Sequence, residues 1–152
     1  MTGSDHRALQ AALAAEHAAI YGYAVAGAHL TGSLEEAAQR DWTVHQVAMD
    51  TLEARLTSLG AQPVPAQDAY QLPFPVHSSR AAISLAAYVE DRVAAAYLGV
   101  VAVDDPALRT WGAAQVRAAA LRATSWSGRA TAFPGLPARA PVKASAPPST
   151  AP

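Results

Sequence analysis

A chain of 152 residues, 51% of them apolar and 15% charged, is long enough for one domain with a buried core. Its formal net charge of −1 argues against a nucleic-acid surface, which needs clustered Lys and Arg, and the lack of cysteine removes disulfides, thiolate metal sites and a thiol nucleophile. Alanine supplies about a quarter of the residues, which favours closely packed helices.

The start, MTGSDHRALQ, carries no apolar leader, so the expected compartment is the cytoplasm. A first helix is expected from about Asp5 to Leu30, with Ser4 as its N-cap and Gly32 beyond its end. The second begins at Ser33-Leu34-Glu35-Glu36, which reads as a capping box, and runs to about Leu59 before the stop signal Gly60. Residues 61–77 follow, with Pro63, Pro65, Pro73 and Pro75; proline at that density removes donors and precludes a helix. A third helix is expected from Ser79 to Val103, and a fourth from Pro106 to about Trp126. Asp105 would cap the fourth, with Pro106 at its first position and Gly128 past its end. The longest apolar run, Val93–Val103, is about half of a membrane span and is bracketed by charges, so no membrane segment is expected. Residues 137–152 hold five of the 11 prolines and read as a disordered tail, which leaves 1–136 as the domain.

The short links within each helix pair predict two antiparallel hairpins. The seventeen residues between the pairs can extend to roughly 55 Å, whereas a helix of about 26 residues is only about 39 Å long. A link able to run the length of the bundle predicts that the third helix lies parallel to the second. The expected architecture is therefore all-α: a ferritin-like four-helix bundle of two antiparallel hairpins joined by a long crossover.

Steps of three and four trace the inward faces. They give Leu9, Leu13, Glu16, Ile20, Tyr23, Gly27 and Leu30 on the first helix, and Trp42, His45, Met49, Leu52, Leu56 and Leu59 on the second. On the third they give Ile83, Ala86, Glu90, Val93, Tyr97 and Val100. Each seam thus carries one ionisable residue, Glu16, His45 or Glu90, at a similar depth in its helix. Three such groups in one core layer are costly unless they pair or coordinate something.

The segments Glu16-His17-Ala18-Ala19-Ile20-Tyr21-Gly22-Tyr23, Ala69–Val76 and Phe133-Pro134-Gly135-Leu136 resemble the actinobacterial ferritin-like domain family of unknown function. The resemblance spans nearly all of Leu9–Leu136 and implies a ferritin-like fold. Di-iron members of the wider superfamily place Glu on the first helix, Glu-x-x-His on the second, Glu on the third and Glu-x-x-His on the fourth. By that comparison Glu16, His45 and Glu90 match three ligand positions. Trp42 stands where the second helix would carry Glu, although Asp41 is one turn before His45, and the fourth helix has no Glu, Asp or His. It offers Gln115, Arg117 and Arg122, of which an Arg reaching the centre would pair with Glu16 or Glu90 in place of a metal charge.

Two functions follow as expectations. The first is a non-catalytic bundle with a degenerate di-iron site and no cofactor, acting by self-association as a homodimer or by binding a protein partner. Its Ala-rich faces, including 94–96 and 118–120, would allow close helix approach. The alternative is a metal-binding or oxidoreductase protein holding a single Fe, Mn or Zn ion with Glu16, His45 and Glu90. His17 with Tyr21 reads as a flank pair and His77 as a loop residue. Tyr23 and Tyr97 read as core aromatics whose hydroxyls reach the polar layer. No phosphate loop and no serine-nucleophile constellation is present.

Overall fold

The structure, a computed structural model, describes residues 3–131 and 133–136; the expected tail at 137–152 lies outside the described residues. Its four helices are α1 (Gly3–Gly27), α2 (Ser33–Ser58), α3 (Ser79–Val101) and α4 (Pro106–Ser127). Residues 61–77 are non-helical throughout, as the prolines require.

The helix ends depart from expectation in instructive ways. α1 begins at Gly3, so Ser4 lies inside it rather than at its cap. It ends at Gly27, where the chain tightens: the His29 and Leu30 amides bond the Ala26 and Gly27 carbonyls at 3.0 and 3.2 Å. The expected capping box does not form. Gly32 is the N-cap of α2 with no side-chain cap, and the Glu36 amide bonds the Gly32 carbonyl at 3.0 Å, so Ser33 sits one position too far into the helix. The stop after α2 is a Schellman turn: Gly60, at φ 73°, donates to Thr57 O at 2.9 Å, and Ala61 donates to Leu56 O at 3.0 Å. Ser78 caps α3 by accepting from the Ala81 amide, and Asp105 caps α4 by accepting from Ala107 and Leu108. α3 stops at Val101, two residues short of expectation.

The pairings across the bundle give its topology. Gly22 meets Val89 and Ala8 meets Gly99, so α1 and α3 are antiparallel; Gly112 meets Val100 while Arg122 meets Glu90, so α3 and α4 are antiparallel as well. Between α1 and α2, Glu16 meets His45 and, further along α1, Tyr23 meets Asp41, which precedes His45, so α2 is antiparallel to α1 and therefore parallel to α3. The crossover is thus the long connection that its length predicted, and the architecture is an all-α four-helix bundle. It is tied down along α1: Gln10 bonds the backbone of Gln62 and Val64, and Val76 is buried near its end.

The core is built from Leu9, Leu13, Leu52, Leu56, Leu85, Val93 and Val100, all fully buried. Small residues set the helix spacing. A Cβ on Gly22 would stand 2.7 Å from Val89 Cγ2, so α1 and α3 cross there with no room for a side chain. Ala94 and Ala119, on the Ala-rich segments of α3 and α4, are fully buried and pack inside the bundle, while their neighbours Ala95, Ala96, Ala118 and Ala120 are half-buried.

Candidate functional site

The structure brings Glu16, His45 and Glu90 into one layer at the centre of the bundle, each at most 1% exposed. His45 Nδ1 lies 2.6 Å from Glu16 Oε2, and Nε2 lies 3.1 Å from Glu90 Oε1. Their depth along helices of similar length puts them level, and heptad spacing turns all three inward. Arg122 of α4 completes the layer: its Nε donates to Glu90 Oε1 at 2.7 Å. Arg117, the other basic residue offered by α4, is exposed.

Two tyrosines close the layer. Tyr97 OH donates to Glu16 Oε1 at 2.7 Å, and Tyr23 OH donates to Glu90 Oε1 at 2.7 Å while lying 3.3 Å from Asp41 Oδ2. The Tyr23 ring stacks on the His45 imidazole at 5.2 Å, and Tyr97 meets Trp111 edge to face at 5.3 Å. Trp126 Nε1 donates to Asp41 Oδ2 at 2.8 Å and tilts against Tyr23.

The electrostatics follow from this packing. A neutral imidazole has one N–H and would set a lone pair against one of the two carboxylates; the cation donates on both sides. Burial alone would depress the His45 pKa, but the hydrogen bonds to Glu16 and Glu90, with their charges, raise it to about 9. Burial would likewise raise Glu90, yet His45 and Arg122 together hold it below the usual carboxylate range. Burial and the neighbouring acids push both tyrosine hydroxyls far up, so they stay protonated donors. Cationic His45 and Arg122 match the formal charges of Glu16 and Glu90, which makes the layer a neutral network.

This donor set does not fit a di-metal centre. The two ring nitrogens of His45 face opposite edges, so Glu16 and Glu90 stand on either side of the imidazole instead of converging on one point. α4 contributes a guanidinium where a ligand would be needed, and Asp41 is engaged by Trp126 rather than turned to His45. Among the described residues, no group of three or more His, Asp or Glu is arranged to hold a metal ion.

Sequence reasoning placed the central residues, the two tyrosine hydroxyls and an arginine of α4 at the layer, but missed the contacts around them. His17 is not paired with Tyr21: it is buried, with Nε2 3.1 Å from the Val64 carbonyl, and so pins the crossover to α1. Tyr21 instead packs against Tyr70 of the crossover, ring centroids 5.6 Å apart. Asp41 as the partner of Trp126 was not foreseen either. The two lie 85 positions apart, and no local pattern links them.

The model of a family described as a domain of unknown function, DUF4439, matches residues 8–138. A crystal structure of a conserved hypothetical protein, Rv2844, from Mycobacterium tuberculosis is similar in fold and sequence. It has a TM-score of 0.81 and 30% identity over 84% of this chain and 98% of that one. None of the curated proteins matches significantly. With the model match covering residues 8–138, all of the bundle except the first turn of α1, the chain belongs to the DUF4439 family.

Proposed function

We propose that this protein is a non-catalytic bundle of ferritin-like architecture whose central layer is structural, and that it acts through its exterior by self-association or partner binding. The observation that carries the reading is His45. Both of its ring nitrogens are engaged by carboxylates on opposite sides, and the guanidinium of Arg122 sits where a metal charge would otherwise balance Glu90. A layer already neutral and hydrogen-bonded has no need of a cation. Exposed apolar side chains outside it, Val44 and Val47 on α2, supply surface for association.

A second reading, a single Fe, Mn or Zn ion held by Glu16, His45 and Glu90, is favoured by one feature: Glu90 Oε2 is buried with no hydrogen-bond partner. It requires a His45–carboxylate bond to open. Metal analysis of untagged protein from iron-, manganese- and zinc-supplemented cells separates the two. The structural reading expects substoichiometric metal in all three, and a Glu16→Ala variant destabilised equally with and without chelator. Near one ion per chain, lost in that variant, would overturn it.

A further inference from the structure

An apolar groove of about 560 Å³ runs along the outside of α1. Its floor is the run of alanines between positions 11 and 18. One wall is the crossover, with Tyr70 against Tyr21; the other is α3, with Tyr88, Arg92 and Ala95. Anchoring of the crossover makes this wall rigid: Tyr70 OH accepts from the Gln67 amide at 3.0 Å, and His17 and Gln10 hold Val64. The groove is therefore preformed, and it lies outside the buried layer.

The chain itself leads to this groove. After α4 it turns at Gly128 and comes back over α3 through Phe133–Leu136. There Gly135 lies so close to the helix that a Cβ would stand 2.6 Å from Ala95 N and 2.8 Å from Ala94 C. Ala95 is also part of the groove wall, so the described chain reaches the groove edge at Gly135, and sixteen residues follow Leu136 in the sequence. Their sequence, PARAPVKASAPPSTAP, contains five prolines and no side chain larger than valine apart from Arg139 and Lys143.

We propose that this groove is the docking site for the chain's own proline-rich segment 137–152, bound in extended form across α3 and α1. Extended proline segments are recognised by grooves lined with aromatic rings, because their preset backbone loses little entropy on binding. Tyr21, Tyr70 and Tyr88 supply such rings, and the alanine floor gives the prolines room. The α3 wall from Leu85 to Ala96 is about 17 Å long, a span that about six polyproline-II residues at ~3.1 Å each can cover. Tethering at Leu136 sets an effective concentration of order millimolar, so even a weak contact is populated. The only cation on the groove, among its described residues, is Arg92, and the segment adds two more, so the association is apolar and persists in high salt. The inference stands whether or not the buried layer binds metal.

Because the chain has no cysteine, a single Ser145→Cys substitution carries one nitroxide label in the full-length protein. The expected result is selective broadening of amide signals over Ala11–Gly22 and Leu85–Ala96, with α2 signals around Val47 unaffected. It should persist at about 0.5 M salt and be largely lost when Ala14→Trp fills the groove from an exposed position. Tyr88→Ala, which removes a wall from the surface, should weaken it without altering the α2 spectrum. Uniform weak broadening, or broadening indifferent to both variants, would overturn the proposal. So would broadening seen only when labelled chains are mixed with nitroxide-bearing ones, which would mean that the groove takes the segment of a second copy.

Discussion

Raising the pH from about 6.5 to about 9.5 should take stability from the fold by deprotonating His45. The ring is fully buried between Glu16 from α1 and Glu90 from α3, is stacked on Tyr23, and lies one bond away from Arg122 through Glu90. Its pKa is raised to about 9 in the folded chain, against 6.5 for a free imidazole. With the folded value above the unfolded one, the contribution is complete below about pH 6.5 and is lost as the pH climbs through about 9. At about 1.4 kcal/mol per pH unit, the displacement is worth about 3 kcal/mol, a sizeable fraction of a typical domain's stability. Glu90 acts at the other end: its lowered pKa adds stability above the ordinary carboxylate range that is lost on acidification. Urea unfolding followed by tryptophan fluorescence from about pH 6 to about pH 10, in the natural chain and in His45→Gln, isolates the histidine term as the difference between the two slopes. Direct NMR titration of the His45 ring gives the same quantity without a variant. Parallel slopes in the two proteins, or a ring midpoint at or below about 6.5, would refute the argument that both carboxylates hold the imidazolium.

Arg122→Ala should cost about 3 kcal/mol in denaturant unfolding, because it leaves Glu90 buried without its guanidinium; Arg117→Ala, on the exposed side of the same helix, should stay within about 0.5 kcal/mol. Equal effects would mean that Arg122 does not balance the layer. Gly135→Ala combines a strained φ of 77° with a Cβ pressed onto the Ala94–Ala95 backbone, so it should release the turn from α3. Limited proteolysis near residue 135 should then accelerate while the melting of the helical bundle changes little; unchanged proteolysis would show that the turn is not held there.

Much of this protein is written locally. The four helices, their Gly60 and Gly128 stops, the Ser78 and Asp105 caps and the non-helical crossover follow from short-range rules, since each depends on dihedral freedom or on a donor within one turn. Heptad spacing also turned Glu16, His45 and Glu90 inward, and crossover length set the helix directions. The capping box failed because a one-residue shift in where α2 begins decides whether Ser33 can reach the Glu36 amide, and boundary shifts of that size depend on the preceding turn at Gly32.

Tertiary structure alone decided how the core charges are used. Sequence named Arg117 and Arg122 as alternatives; helix rotation against α3 buries one beside Glu90 and leaves the other in solvent. It also set Glu16 and Glu90 on opposite edges of one imidazole rather than around a common point, a difference of angles that no spacing rule contains. The Trp126–Asp41 bond, the His17 anchor and the meeting of the Gly135 turn with the α1–α3 groove join residues far apart in the chain. Helical periodicity fixes which face a side chain takes, but partner choice across the bundle depends on the relative shift and rotation of whole helices, which only the packed core determines.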